Sequence, residues 1–154
     1  MKANGLINSL ASVAVLSCIV VGAVLFFAFQ TRWIGLVFIG LGVLHLVVLR
    51  FFKVSIRSVW PDMVFGIIDN GILVIAALVG ADLGGVWGAI VGGAAGNAIT
   101  DGFAGIFEGH IADHLKKLKI RDSRSSLSCA LGKMAGCLFG AGLVFIIAWT
   151  VFSW

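Results

Sequence analysis

Charge is scarce in this chain, and proline scarcer. Only 12% of the 154 residues are charged, seven of them acidic, and proline occurs once, against 60% hydrophobic residues. A soluble domain cannot cover itself with so little charge, and a mean hydropathy of +1.12 belongs to an integral membrane protein. Also lacking is any cysteine–histidine cluster. Cys18, Cys129 and Cys137 lie inside apolar runs, and His45, His110 and His114 are not spaced as ligands. That excludes a zinc or copper centre and leaves three reduced packing cysteines. No nucleophile with a base, no phosphate loop and no catalytic metal motif occurs, so an enzyme is not expected.

What is present is apolar sequence in lengths that cross a bilayer. About 20 apolar residues span a hydrocarbon core of about 30 Å as a helix. The sequence predicts an all-α polytopic membrane protein with five spans, at Leu6–Phe29, Trp33–Phe52, Asp62–Val79, Val86–Gly109 and Ser128–Phe152. The first run is too long for a secretory signal core and lacks an Ala-x-Ala cleavage site, so it reads as a span. Residues 1–60 form two N-terminal helices and a basic linker. Residues 61–154 form a three-helix core with a polar hairpin (61–109), a basic linker (110–127) and the last helix (128–152). Pro61 is expected at a helix start, where its missing N–H costs nothing.

The net charge of +4 and pI of about 9.3 would point to nucleic acid in a soluble chain. Here the basic residues sit at the ends of apolar runs, so no nucleic-acid partner is expected and the lipid bilayer is. With an N-terminus in the cytoplasm and a C-terminus outside, Lys2, Arg50, Lys53, Arg57, Lys116, Lys117, Lys119, Arg121, Arg124 and Lys133 all fall on the cytoplasmic side. Only Arg32 falls outside. Trp33, Trp87, Trp149 and Trp154 then mark the outer interface and Trp60 the inner one. Glycine recurs every fourth residue at Gly84, Gly88, Gly92 and Gly96, and again at Gly132, Gly136 and Gly140. Glycines on one helix face let backbones approach closely in lipid, so tight helix packing is expected along both stripes.

Polar groups inside apolar runs carry the functional reading. Asp69 and Asn70 lie within the third span, and Asn97, Thr100 and Asp101 within the fourth. At about 1.5 Å rise per residue, Asp69 lies about 10 Å and Asp101 about 12 Å from the same cytoplasmic face. By the same count no lysine or arginine lies at their depth, and Glu108 sits towards the mouth. Carboxylates, carboxamides and a hydroxyl make an all-oxygen ligand set, suited to Ca²⁺, Mg²⁺, Mn²⁺ or Na⁺ and unsuited to soft metals. Two readings remain open: an ion pathway, or interhelical hydrogen-bonding glue. The charge penalty in lipid favours the pathway, since asparagine would serve as glue without it. His45 is either a proton relay or a histidine bonded to a backbone carbonyl. Residues 66–71 and 98–102 show a short internal similarity in oppositely directed segments, an inverted-repeat signature of transporters.

Three ordered motifs carry a family likeness. Pro61-x-x-x-Phe65-Gly66-x-x-Asp69-Asn70, Gly96-Asn97-x-x-x-Asp101 followed by Ala104-Gly105 and Glu108, and Leu131-Gly132-Lys133-x-x-Gly136 together resemble the transmembrane protein 65 family over residues 61–145. The resemblance implies an α-helical membrane protein connected with sodium–calcium exchange, as exchanger or as regulator. It implies functional positions at Asp69, Asn70, Asn97 and Asp101, with Thr100 where a serine is usual. The two added N-terminal spans and the absence of an arginine-rich presequence predict a bacterial relative in an inner (plasma) membrane. The expectation is therefore a cation exchanger driven by Na⁺ or H⁺, working as a homodimer, with Asp69, Asn70, Asn97, Thr100, Asp101 and Glu108 around the cation. The alternative is a non-transporting accessory protein.

Overall fold

The computed structural model describes residues 2–27, 31–117 and 125–152. Among them every regular element is helical: α1 (Lys2–Phe27), α2 (Thr31–Phe51), α3 (Ile56–Lys117) and α4 (Ser126–Phe152). All four are long and apolar enough to cross a membrane. The third helix runs for 62 residues and is interrupted at Gly84 (φ −145°, ψ 20°) and Gly85 (φ 59°, ψ −142°), where the backbone leaves helical space.

The chain forms two compact units. In the first, residues 1–71 and 125–154, the helix directions follow from which residues meet. Gly35 lies against Gly142 and Ile146, and Gly42 against Phe139, so α2 and α4 run antiparallel. Gly132 lies against Val59 and Asp62, Gly136 against Met63 and Gly140 against Ile67, so α3 and α4 run parallel. A Cβ on Gly136 or Gly140 would overlap the carbonyl of Met63 or Ile67. These two positions admit only glycine. The apolar core gathers where four helices meet, at Leu16, Leu49, Val59 and Leu131. Of the large α1 side chains Leu16 is buried, while Leu6, Ile7, Leu10, Val15, Ile19, Val21, Leu25 and Phe26 are exposed, a surface that suits lipid.

Local signals set the ends in this unit. At the end of α2, Lys53 takes a positive φ of 56° and the Val54 N–H donates to the Leu49 carbonyl at 3.0 Å, a Schellman ending made without glycine. At the start of α4, Ser125 and Ser128 cap each other: the Ser128 N–H donates to Ser125 Oγ (3.1 Å), and the Ser125 N–H to Ser128 Oγ (2.9 Å). The expectation for Pro61 is corrected. Helix α3 begins at Ile56, with the Ser58 N–H donating to the Ser55 carbonyl at 3.0 Å, so Pro61 falls inside the helix and removes one backbone bond there.

The second unit spans residues 72–124, and its described part, to Lys117, is a helical hairpin. Gly88 lies against the Gly80 carbonyl, Gly92 against the Ala76 carbonyl, and Gly96 against Ala76 and Ile72, so the limbs on either side of Gly84–Gly85 run antiparallel. The turn is shorter than the 80–85 linker read from sequence, because two glycines suffice: at Gly85 the backbone occupies a region that side chains all but forbid. Gly84, expected to pack, meets nothing within 4 Å and serves the turn instead. The second limb also continues to Lys117, past the expected end at Gly109.

Candidate functional site

Each polar group is fixed by the helix that carries it. In the first unit, Asp69 is only 5% exposed. Its neighbour Asn70 donates from Nδ2 to the Cys137 carbonyl at 3.2 Å, tying α3 to α4. One turn earlier Gly66 presses against the backbone of Lys133 and Cys137, which holds the Asp69-bearing stretch firmly against α4.

What counting from helix ends could not give is the partner of Lys133. Assigned by sequence to the cytoplasmic end, it sits seven residues inside α4, within the apolar stretch Ser126–Val151, and its Nζ lies 4.3 Å from the centroid of the Phe65 ring. Phe65 and Asp69 are four apart and share a face of α3. Half-buried Lys133 thus reaches the Phe65 ring, one helical turn before Asp69 on α3. The signal was the lysine in Leu131-Gly132-Lys133, but reach across to another helix cannot be read from one helix's numbering.

His45 is fully buried on α2. Its Nδ1 lies 2.8 Å from the Leu41 carbonyl, so Nδ1 carries the proton and donates. That is the carbonyl-bonded arrangement weighed from sequence. Nε2, the ring's acceptor in this tautomer, has no hydrogen-bond partner among the described residues.

At the far end of the same unit, the Arg32 guanidinium lies 4.8 Å from the Trp149 ring and 5.8 Å from the Trp33 ring. Stacking on two indoles gives the cation an amphipathic seat. It also brings Trp33 of α2 and Trp149 of α4 to one end.

In the second unit, Asn97 donates from Nδ2 to Asp101 Oδ2 at 2.9 Å, the i,i+4 spacing placing both on one helix face. Asp101 is exposed. Thr100 is buried, and its hydroxyl lies within bonding distance of the Gly96 (3.1 Å) and Asn97 (3.0 Å) carbonyls of its own helix. Asn97 and Asp101 are thus brought together, with Thr100 turned to the buried side. The backbone of Glu108 continues the helix, but its side chain and those of His110 and His114 lie outside the described residues.

Among the described residues no three His, Cys, Asp or Glu side chains gather as a preformed metal centre. Any cation held by these groups would draw also on carboxamide, hydroxyl and carbonyl oxygens, a donor set typical of hard, weakly held ions. Compared with known proteins, the chain matches no protein-family model, no curated protein and no solved structure.

Proposed function

We propose that this chain is a small membrane cation transporter, an exchanger that moves a divalent cation of the Ca²⁺ type against Na⁺ or H⁺. It crosses the membrane five times, with its N-terminus in the cytoplasm and C-terminus outside, and works as a homodimer in a bacterial-type inner membrane. Asp69 and Asp101 bind the cation, Asn70, Asn97 and Thr100 supply neutral oxygens, Glu108 guides ions at the mouth, and His45 relays protons.

The observation that carries this reading is that the apolar stretch Ile56–Ile106 carries Asp69, which is buried, on its first limb and Asp101 on its second. Ionisable side chains inside an apolar membrane helix are functional by default, and a moving cation gives these two a use. The antiparallel limbs about Gly84–Gly85 support two crossings for α3, hence five in all. The motif resemblance to the transmembrane protein 65 family supports the choice of ions.

Purified protein in liposomes tests it, with Ca²⁺, Mg²⁺ or Mn²⁺ uptake followed under a Na⁺ or a proton gradient. Gradient-driven uptake of a divalent cation is the expected result. Silence under every combination overturns the proposal.

A second reading is favoured by the Asn70 amide on the Cys137 carbonyl and the Thr100 hydroxyl on its own backbone, where polar groups act as packing glue. In that reading the chain is a non-transporting accessory protein. It then shows no flux alone under any gradient.

A further inference from the structure

In the first unit an open groove runs between α1 and α4. Val13 and Val20 line it from α1, and Ala130, Lys133, Met134 and Leu138 from α4, around a volume of about 420 Å³. Among the described residues no acidic side chain lines it, and its wall is apolar but for Lys133. Val13 and Val20 are two helical turns apart, so the groove is roughly 10 Å long. That is most of the depth of one bilayer leaflet, about 15 Å. An acyl chain lying along the spans therefore fits its length.

The charge in the wall indicates which lipid. Gly132 lies against Val59 and Gly136 against Met63, so Lys133 stands level with Trp60. Trp60 is exposed near the start of its apolar stretch, where tryptophan marks the membrane–water boundary. Lys133 is therefore at the depth where headgroups meet acyl chains. Its ammonium rests on the Phe65 ring at 4.3 Å. A ring face attracts the cation but leaves N–H donors that need an oxygen, and lipid tails offer none. Phosphate oxygens do. Asp62 of α3 meets Gly132, which faces away from Ala130 and Met134 and so away from the groove. Arg50 in the last turn of α2, Lys53 after it and Arg57 near the start of α3 are exposed at this same end, where Leu49, Val59 and Leu131 meet. A basic end of this kind suits a leaflet of anionic headgroups.

We infer that the groove between α1 and α4 seats one acyl chain of an anionic phospholipid, whose phosphate oxygens pair with Lys133. A zwitterionic lipid brings the same phosphate but sets its own cation beside it, which weakens the pairing. The inference rests on the membrane-spanning reading above and adds a ligand to it; it does not depend on cation exchange.

Photo-crosslinking in vesicles tests it. The full-length protein is placed in phosphatidylcholine vesicles holding a trace of phosphatidylglycerol or phosphatidylcholine, each with the same photoreactive group on one acyl chain, and adducts are mapped by peptide mass spectrometry. Phosphatidylglycerol is expected to label Val13, Met134 and Leu138 several-fold more than phosphatidylcholine does. Lys133→Gln should abolish that difference, while Lys133→Arg and Arg57→Gln each retain it, with helix content by circular dichroism unchanged. Should Lys133→Gln not fold, the parent's choice between the two lipids decides alone. Equal labelling by both lipids, a preference that survives Lys133→Gln, or adducts no denser in the groove than at exposed Leu10 and Leu25 overturns the site. A groove covered by a second copy yields no adducts there and overturns it too. Protein that does not float with the vesicles overturns the site and the membrane-spanning reading together. Lipid preference in a protein without flux keeps the site and discards the exchanger; flux without lipid preference does the reverse.

Discussion

At Gly136 a missing methyl group decides how close two helices come. Its Cβ position is filled by the Met63 backbone, so Gly136→Leu must push α4 off α3 over the stretch that carries Asp69. Overpacking of this kind costs about 1–3 kcal/mol or more. Thermal unfolding in detergent should show a clear loss of stability, whereas Gly105→Leu, in open space, should lose far less. The same reasoning separates the two possible jobs of Asn70. As glue it is worth about 0.6 kcal/mol, up to about 1.7, the range for interhelical bonds in lipid. As part of a cation site, Asn70→Ala should cut flux by more than that loss of stability explains, when flux is measured in liposomes at equal protein. His45 offers the reverse case. Since Nδ1 bonds only the Leu41 carbonyl of its own helix, which keeps its helical partner, His45→Leu removes an unmatched buried nitrogen. The fold should survive with stability unchanged or slightly raised, and a proton relay at this position should appear as lost coupling to a proton gradient.

At the scale of an element, the break in α3 depends on Gly85 more than on Gly84. Gly84, at φ −145° and ψ 20°, keeps the negative φ usual for residues with a side chain, while Gly85 sits at +59° with ψ −142°. Gly85→Ala should therefore destabilise the hairpin by about 1 kcal/mol or more, and Gly84→Ala by much less, as read by unfolding in detergent. The pair of glycines was visible in the sequence as a turn, and the runs of apolar residues made an all-helical chain legible. Helix ends were less so. Pro61 reads as a start because it cannot donate, yet Ser55 and Ser58 open the helix earlier. Gly109 reads as an end, yet the backbone stays helical to Lys117. In both places a short-range signal was outvoted by helical neighbours on either side. Lys133 shows another limit: its place along α4 was countable, but its reach to the Phe65 ring is a fact of packing between helices. Polar residues could be picked out by their rarity, whereas their partners, such as the Cys137 carbonyl for Asn70, could not, because backbone acceptors occur everywhere in the sequence.

For the whole molecule, the number of crossings decides which ends share a side. If α3 crosses twice, Lys53 before it and Ser126 after it face the same compartment; if it crosses once, they face opposite ones. Lys53→Cys and Ser126→Cys, each on a background lacking native cysteines, should both react with an impermeant maleimide from the cytoplasmic side only. Labelling from opposite sides would remove the fifth crossing. The account rests finally on those two carboxylates being occupied by the ion that moves. The most direct measurement is Ca²⁺ uptake into liposomes under a Na⁺ gradient, comparing the parent protein with the Asp69→Asn/Asp101→Asn double variant, the two matched in amount and in helix content. The carboxamides keep size and most hydrogen bonds while removing the charge that attracts a cation. Gradient-driven uptake in the parent and its loss in the variant is the expected result. Equal uptake in both would contradict the claim that Asp69 and Asp101 hold the cation.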